Sequence, residues 1–292
     1  MGAYYADKRF HTIAGIDPDV KKREAVCKEF NIRHQFSDLD DLRSINAAID
    51  VVSICTPTET HFQTLRSALL LKPRLIFCEK PITGNPDQLL KIKKIADKEG
   101  VSVMVNYSRR WDPSFQEFSK NIDTGAYGEL RSVNAIYNKG ILNNGSHLID
   151  LLTKLFGELE LGYVGEPLID YKRQDPTFPV FLYTESKASI LFTPADSRDY
   201  SIFEITFFFS KAIISIEQGG LFWRKRYLDD NTLFNNYVGV DNGVISPGKY
   251  KESMKNAVEN IYNHLANRQP MLCNIDDALK TAKVCDLILN RN

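Results

Sequence analysis

Short apolar segments alternate with amphipathic segments over the first third of the chain. Residues 50–57 (DVVSICTP) are almost continuously apolar, which is typical of a strand buried on both faces, and residues 74–81 (RLIFCEKP) are predicted to form the next strand. Residues 59–71, between them, carry an apolar stripe at helical spacing. Strands that are separated by helices of this length pair in parallel through crossover connections. The pattern therefore predicts a doubly wound α/β domain over residues 1–107.

Longer strand patterns follow this domain. Several runs, such as ELRSVNAIYN and YSIFEITFFFS, are rich in β-branched and aromatic residues, and short turns join them. This is typical of an antiparallel sheet. One helix is predicted over residues 146–156, and two more end the chain at 249–267 and 275–290. Residues 108–292 are therefore predicted to form an α+β domain with a large, mostly antiparallel open sheet.

The strand predicted in YSIFEITFFFS (200–210) carries apolar residues on both faces. A sheet with one face in water would alternate more cleanly between apolar and polar positions. Another subunit of the same protein would cover the second face, or the two terminal helices would do so. The sequence favours neither alternative over the other.

The composition is that of an ordinary globular protein. The 37 basic and 37 acidic residues give a formal net charge of zero, which disfavours nucleic-acid binding. No apolar run approaches the roughly 18 residues of a membrane span, and the N-terminus resembles neither a signal peptide nor a transit peptide. The five scattered cysteines contain no CxxC pair, which favours reduced thiols in the cytoplasm over a disulfide or zinc framework. No metal site is predicted.

Two groups of polar residues follow predicted strands in the first domain. Asp17 ends a short strand, where a carboxylate can accept the ribose hydroxyls of an adenosine and repel a 2′-phosphate. The local Asp-Pro-Asp sequence favours a simple turn former, and the cations at 21–23 would soften any preference between dinucleotides. Thr56, Pro57 and His61 follow a buried strand, where open α/β sheets bind ligands, although alone they are ordinary turn residues.

Lys80 follows another buried strand. Pro81 disfavours the helical conformation for the residue before it, so Lys80 projects from extended backbone at the edge of the sheet. A partly desolvated lysine beside a cationic nicotinamide would have a lowered pKa and could exchange protons with a substrate hydroxyl. A lysine exposed in a turn explains the same tripeptide.

Asn143, His147, Asp150 and Lys154 recur at helical spacing in a leucine-rich segment. If residues 143–156 are helical, all four lie on one face. A histidine and a carboxyl group on one face can orient a hydroxyl and take its proton. The alternative is the solvated face of an amphipathic helix, with Asn143 or its neighbour as the cap.

Taken in order, these fragments resemble the Gfo/Idh/MocA oxidoreductase family. The series ICTPTETH (54–61), CEKP (78–81) and NNGSHLID (143–150) carries the resemblance, which covers nearly the whole chain. Members have a Rossmann domain followed by an α/β domain whose open sheet commonly builds a dimer or tetramer. They transfer hydride between NAD(P) and a hydroxyl of a sugar, cyclitol or nucleotide sugar. NGSHLIDLL looks most like the nucleotide-sugar and surface-polysaccharide branch.

The resemblance implies roles for individual residues. Lys80 would handle the proton near the nicotinamide, and His147 would be the second catalytic or substrate-orienting group. Asp17 would bind the adenosine ribose. The other residues of the dinucleotide cleft would be Gly2, Thr56, Pro57, His61, Glu79, Pro81 and Asn106, with the Lys80–Pro81 peptide bond in the cis form. The substrate would contact Asn143, Asp150, Arg109, Arg110 and Trp111, although the last three could equally pack at a hinge.

Two departures from the family pattern affect these expectations. Asn143 stands where many polyol-oxidising members have an aspartate, and an amide cannot accept the proton of a hydroxyl. The family opens with a strand and a G-x-G-x-x-G loop that cradles the pyrophosphate. Here only Gly2 could match, as the third glycine of that loop. We therefore expect a first domain without its first strand, either because the chain is truncated or mis-started or because it no longer binds dinucleotide normally.

Together these observations predict an NAD-dependent oxidoreductase, with NADP as the alternative cofactor, that acts on a sugar or nucleotide sugar. The expected assembly is a homodimer or homotetramer built through the open sheet. The rival prediction is a non-catalytic sugar-binding or assembly protein that keeps the family fold without redox turnover. A damaged fragment is the third alternative.

Overall fold

The structure is a computed structural model that describes residues 1–45, 48–230 and 236–291. The chain forms two compact units. The first unit contains Met1–Asn106 and Met254–Ile275, and the second contains Tyr107–Ser253 and the chain from Asp276 onwards. The sequence predicts a single boundary after residue 107, whereas in the structure residues 254–275 pack with the first unit.

The first unit is a parallel α/β fold. Its strands are β1 (Ala14–Ile16), β2 (His34–Phe36), β3 (Val51–Ile54), β4 (Leu75–Glu79) and β5 (Ser102–Asn106). Its first four helices are α1 (Gly2–Ala6), α2 (Val20–Glu29), α3 (Thr58–Leu70) and α4 (Pro86–Glu99). Strands β1 and β2 form one parallel sheet, and β3, β4 and β5 form another in that order. Among the described residues no pairing joins the two sheets.

Local sequence explains where these elements lie. Strand β4 reads LIFCE, and its first four residues are buried, as expected for a strand covered on both faces. Helix α4 begins where the Asn85 side chain accepts the N–H groups of Asp87 and Gln88. It ends at Gly100, which adopts a left-handed conformation with φ 69°. Parallel pairing brings the carboxyl ends of β3, β4 and β5 to one edge of the sheet.

The second unit is built on a nine-stranded sheet. The strand order is β15-β14-β13-β12-β6-β11-β10-β7, with β16 also paired to β14; every pair but β6 with β11 is antiparallel. Strands β8 and β9 form a separate antiparallel pair. The elements are α5 (Pro113–Asp123), β6 (Leu130–Tyr137), α6 (Ser146–Phe156), β7 (Glu160–Val164), β8 (Leu168–Lys172), β9 (Asp175–Thr177), β10 (Val180–Tyr183), β11 (Ser189–Pro194), β12 (Phe203–Phe209), β13 (Ala212–Glu217), β14 (Phe222–Asp230), β15 (Val238–Val240) and β16 (Val244–Pro247).

One face of this sheet carries the core of the second unit. Ile205 and Phe207 of β12 are buried in a cluster with apolar residues of α6 and of the last helix, α8 (Ile275–Leu289). On the opposite face, Phe208 is half-buried, and Ile136 and Leu191 are about 40% exposed. Because α8 packs on the inner face, it does not cover the outer face, as the terminal-helix alternative would require.

Helix α7 (Ser253–Asn267) and the segment after it return to the first unit. Phe10 packs edge-on against Tyr262, and the main-chain N–H of Val105 in β5 donates to the Cys273 carbonyl. No helix in the described ranges is both long and apolar enough to cross a membrane. The predicted fold class, a Rossmann-type domain followed by a domain with a large, mostly antiparallel sheet, is confirmed.

Candidate functional site

Glu79 and Asn106 meet at the carboxyl edge of the β3–β5 sheet. They are register partners at the ends of β4 and β5, and the Asn106 amide donates to the Glu79 carboxylate at 2.6 Å. Asn106 is only 6% exposed. Its Oδ1 atom is buried without a hydrogen-bond partner among the described residues. This edge therefore holds an acceptor that the N–H group of a ligand could satisfy.

Lys80 and Pro81 follow directly, and His61 holds this turn in place. The Lys80–Pro81 peptide bond is cis, as the family resemblance predicts. His61 is 1% exposed; its Nε2 lies 2.7 Å from the Thr56 carbonyl oxygen and its Nδ1 lies 2.9 Å from that of Pro81. A neutral imidazole has one N–H and can donate to only one of these acceptors, whereas the imidazolium can donate to both.

This arrangement changes the part that His61 plays. The resemblance makes it a residue of the dinucleotide cleft, but the side chain is buried and both ring nitrogens face main-chain carbonyls. Neither nitrogen is left to bind a dinucleotide. His61 instead ties the turn after β3 to the turn that carries Lys80.

The end of β3 is open to solvent. Cys55, Thr56 and Pro57 are exposed, and α3 begins at Thr58 without a side-chain cap. The first N–H groups of such a helix favour an anion such as a phosphate group. All five cysteines lie in the described ranges and are thiols, and Cys55 is the exposed one. No group of three or more metal-ligating side chains occurs in the part of the chain that the structure describes.

Asp17 follows β1, and the turn interpretation accounts for one of its oxygens. Oδ1 accepts the N–H group of Asp19 at 2.8 Å, and the side chain is half-buried. The Arg23 guanidinium donates to the Asp17 main-chain carbonyl, so a cation lies next to this carboxylate. Gly2 begins α1, and a side-chain atom built there would meet nothing within 4 Å.

In the second unit, His147 lies in the first turn of α6. It is 8% exposed, and its ring packs edge-to-face with Tyr107 at 5.6 Å and with Phe203 at 6.3 Å between centroids. Asn143 is half-buried in the π-helical turn 141–145 that precedes α6. The solvated-face alternative is therefore wrong for His147, which lies among aromatic rings.

A carboxylate from another part of the chain caps the turn before α6. Asp175 of β9 accepts the N–H groups of Leu142 and Asn143 at 2.8 and 2.9 Å. In the solvated-face alternative, Asn143 or its neighbour would be the cap. A Cβ atom on Gly140, where φ is 83°, would lie 2.3 Å from the Asp175 Cγ. Only glycine permits this approach.

Arg110 and Asp150 form a buried ion pair. The Arg110 Nε and Nη2 atoms donate to the two Asp150 oxygens at 2.9 and 2.8 Å, and Nη1 lies 3.5 Å from Asp277. Burial raises the pKa of Asp150, and Arg110 opposes that rise. Arg110, Asp150 and Trp111 are all less than 5% exposed. Such burial leaves these three residues little surface for a ligand, and their contact with a substrate stays a prediction.

Arg109 differs from its neighbour. Its guanidinium carbon lies 3.6 Å from the centroid of the Phe203 ring and 5.2 Å from that of Tyr250. The residue is half-buried, and its Nε is buried without a hydrogen-bond partner in the described ranges. His147 and Arg109 thus contact the same aromatic ring, that of Phe203.

Three residues of these sites are not predicted from the sequence. Asp175 caps the turn of Asn143, and Phe203 and Tyr250 form the surroundings of Arg109. Phe203 carries a weak signal, because it belongs to the strand with too many apolar residues. Asp175 belongs to no periodic pattern, and Tyr250 lies at the start of the helix predicted over residues 249–267, so the contacts of both could be found only from the folded chain.

Comparison with known proteins finds a family match for residues 1–107. Residues 1–107 match the Gfo/Idh/MocA family model, described as an oxidoreductase family with an NAD-binding Rossmann fold. The predicted cofactor class, NAD, agrees with that description. An inositol 2-dehydrogenase of Rhizobium meliloti is 38% identical over 87 residues, which is 30% of this chain and 26% of that protein. An oxidoreductase of Escherichia coli is 26% identical over 199 residues, which is 62% of this chain and 57% of that protein. The chain thus spans less than two thirds of the length of both relatives.

Solved structures match over almost the whole chain. An oxidoreductase from Desulfitobacterium hafniense has a TM-score of 0.84 at 17% identity, with 99% of this chain and 90% of that chain covered. UDP-N-acetylglucosamine 3-dehydrogenase from Acidithiobacillus ferrooxidans has a TM-score of 0.77 at 16% identity, with 98% and 91% covered. At such identities the likeness concerns the fold alone. The resemblance predicted from the motif series is confirmed over residues 1–107, which match the Gfo/Idh/MocA oxidoreductase family model.

Proposed function

We propose that the protein is an NAD(P)-dependent oxidoreductase that acts on a hydroxyl or keto carbon of a sugar or nucleotide sugar. The observation that carries the proposal is the carboxyl edge of β3–β5. There, inside the segment that matches an NAD-binding fold, Lys80 follows Glu79, and the Oδ1 atom of Asn106 has no partner among the described residues. A carboxamide N–H of a nicotinamide is a donor of the kind that this acceptor needs.

The proposed dinucleotide site uses residues of the first unit. Thr56 and Pro57 lie before the uncapped start of α3, where main-chain N–H groups favour a phosphate. The second oxygen of Asp17 would accept a ribose hydroxyl. Because Arg23 lies beside Asp17, the site has both a group that favours NAD and one that would tolerate the additional phosphate of NADP.

Lys80 is the proposed proton-handling residue. When bound, the nicotinamide would accept hydride from the substrate carbon or return it. As the C–H bond of the alcohol breaks, the hydroxyl proton would pass to the Lys80 amine, and in reduction it would return from there. His147 is the second proposed acid–base or orienting group, and the Asn143 amide would orient a hydroxyl without accepting its proton.

The likeness in sequence to an inositol 2-dehydrogenase supports a polyol or sugar substrate, and the motif NGSHLIDLL favours a nucleotide sugar. We propose that the substrate is a cyclic polyol, sugar or nucleotide sugar, and that the protein works in the cytoplasm. The rival function, sugar binding without turnover, predicts carbohydrate affinity without affinity for either dinucleotide.

The test has a binding arm and a kinetic arm. NADH and NADPH are titrated into the full chain by fluorescence, and maleimide modification of the exposed Cys55 is timed with and without each dinucleotide. Saturable binding and slower modification are expected. The Lys80→Met variant should lower kcat on a turned-over polyol by about 10²- to 10⁴-fold with dinucleotide affinity unchanged. Lys91→Met, which removes an exposed lysine of α4, is the matched control.

Each result bears on the proposal. A well-folded chain that binds neither NADH nor NADPH contradicts it and favours the rival function. Dinucleotide binding with equal turnover by the wild type and by the Lys80→Met and His147→Asn variants would remove the assigned roles while leaving the cofactor in place.

We also propose that a second copy of the chain covers the outer face of the nine-stranded sheet. Ile136 and Leu191 on this face are about 40% exposed, which is unusual for neighbouring apolar residues of a central sheet region. Light scattering should report a dimer or tetramer. The Leu191→Lys variant should shift it toward the monomer, whereas Lys187→Ala, in the turn before β11, should not. A wild-type monomer would overturn this proposal.

A further inference from the structure

Two adjacent arginines, Arg109 and Arg110, have opposite surroundings. All three guanidinium nitrogens of Arg110 face carboxylates, with Asp150 on two and Asp277 on the third. In the described ranges, no carboxylate lies within ion-pair distance of Arg109, and no hydrogen bond from its guanidinium is found. The fold thus pairs one cation with carboxylates at all three nitrogens and leaves the cation next to it without an ion pair.

The guanidinium of Arg109 is held rather than mobile. Its flat face lies on Phe203, 3.6 Å from the ring centroid, and Tyr250 flanks it at 5.2 Å. Tyr250 is itself fixed, since its hydroxyl is 2.9 Å from that of Ser108. The Nε atom is sealed from solvent, while the residue as a whole is half-buried. What remains open is the end that carries Nη1 and Nη2.

Gly219 lies beside that end. A side-chain atom at Gly219 would lie 3.5 Å from the Arg109 Nη2 atom, so that even an alanine there would touch the guanidinium. Gly219 has φ 71°, which glycine adopts without strain. A planar pair of N–H donors that has no hydrogen-bond partner in the described ranges matches the two oxygens of a carboxylate or phosphate.

We propose that Arg109 is a specificity-determining residue that selects substrates bearing an oxyanion, a carboxylate or a phosphate group. The inference rests on the proposed function, because it concerns the substrate of that site. His147 packs on the same Phe203 ring as Arg109, so the oxyanion would bind near the proposed acid–base group. The proposal narrows the substrate from sugars in general to acidic sugars or sugar phosphates.

The charge of the Arg109 guanidinium fits this role. Withdrawal from water lowers the pKa of Arg109 to about 10, although Tyr250, Asp112 and Asp150 oppose that shift. The group therefore remains a cation at neutral pH. A partly desolvated cation without an ion pair destabilises the ligand-free protein, and an arriving oxyanion would reduce that cost.

The test compares four probes by calorimetry on the full chain, with saturating NADH present and again without it. The probes are glucose, glucuronate, glucose 6-phosphate and UDP-glucose, which differ in having no anion, a carboxylate, a phosphate or a pyrophosphate. At least one anionic probe should bind about 10- to 100-fold more tightly than glucose. The preferred probe identifies the source of the oxyanion.

Variants assign that preference to Arg109. Arg109→Gln should abolish the advantage of the anionic probe, and Arg109→Lys should restore only part of it, because an ammonium lacks the planar pair of donors. Arg131→Gln removes the same charge at an exposed position of the second unit and should change nothing. Equal binding of glucose and all anionic probes, or an anion preference that survives Arg109→Gln, would overturn the proposal.

A melting experiment separates recognition from a structural role. Without ligand, Arg109→Gln should melt no lower than the wild type, since it removes an uncompensated cation. The preferred probe should raise the melting temperature of the wild type only. A large loss of stability in ligand-free Arg109→Gln, together with full rescue by Arg109→Lys in probe affinity, would instead make Arg109 a packing residue. Failure of the dinucleotide titration, by contrast, would count against the proposed function and not against oxyanion recognition.

Discussion

The carboxyl edge of β3–β5 and the turn before α6 hold their candidate residues by different means. At the sheet edge, His61 bridges two main-chain carbonyls, and an amide of Asn106 meets Glu79. In the turn and in α6, carboxylates fix the geometry. Asp150 of α6 neutralises the buried Arg110, and Asp175 accepts main-chain N–H groups of the turn. A buried charge fixes geometry firmly but leaves a large penalty when one partner is lost. Contacts to main-chain carbonyls fix it with a smaller penalty.

The largest expected effect comes from Asp150→Asn. This change leaves Arg110 buried without its main counter-charge, so the free energy of unfolding should fall by about 3–5 kcal/mol. Urea unfolding followed by circular dichroism measures it. Glu129→Gln, which breaks the exposed pair of Glu129 with Arg131, should cost less than about 1 kcal/mol.

A double substitution sharpens this prediction. Replacing both partners, Arg110→Met with Asp150→Leu, removes the uncompensated charge and should recover much of the lost stability. If the double variant were as unstable as Asp150→Asn, the loss would reflect packing or Asp277, and the contrast between the two regions would disappear.

Asp175→Asn should have the next largest effect. Asparagine offers one uncharged acceptor oxygen, whereas each of the two Asp175 oxygens accepts an N–H group. About 1–3 kcal/mol of stability should therefore be lost. Turnover should fall as well, because Asn143 lies in the capped turn and His147 follows it. Asp123→Asn, at the exposed end of α5, is the control. Unchanged stability in Asp175→Asn would mean that the turn holds itself.

His61→Asn should cost less, about 1–2 kcal/mol, because one of the two carbonyl contacts can be kept. The dinucleotide should bind more weakly, since the turns at Thr56 and Lys80 lose their common tether. Fluorescence titration with NADH measures this, and His11→Asn, at an exposed position, serves as the control. Weaker NADH binding in both variants would remove the special place of His61.

The smallest effect is expected from Arg9→Met and depends on pH. Arg9 bonds to Asp7 and Glu259 and lowers the pKa of both carboxyl groups. Because these two pKa values are lower in the folded chain, the unfolded chain binds more protons at acidic pH. The stabilisation from the ion pairs is therefore complete above about pH 5, and it is lost as the pH falls through the pKa values of the folded chain. Between about pH 5 and pH 3, Arg9→Met should lose less stability than the wild type.

The matched control for this comparison is Arg43→Met, whose pairing with Asp40 lies within one exposed turn. Urea unfolding at each pH gives the slopes. Parallel curves for the wild type and Arg9→Met would show that the ion pairs contribute nothing measurable.

The sequence predicts regular elements well and tertiary partners poorly. Helix α6 spans the predicted residues 146–156, because its leucine spacing is a local signal. The spacing of His147 and Asp150 places both on one face of that helix, but spacing does not tell whether the face is wet. The answer depends on Arg110, which lies 40 residues earlier in the chain. Likewise the cap of Asn143 comes from Asp175, a later strand, where no local pattern predicts it.

The route of the chain has a consequence for synthesis. The chain leaves the first unit after Asn106, and Met254–Ile275 later complete that unit. This segment packs Tyr262 against Phe10, and its Cys273 carbonyl accepts a main-chain N–H group of β5. On the ribosome, the early strands can therefore form their last contacts only after residues 254–275 have emerged. A nascent chain stopped after Asn106 would lack those contacts, so dinucleotide capture should appear late in translation rather than as soon as the first parallel strands are made.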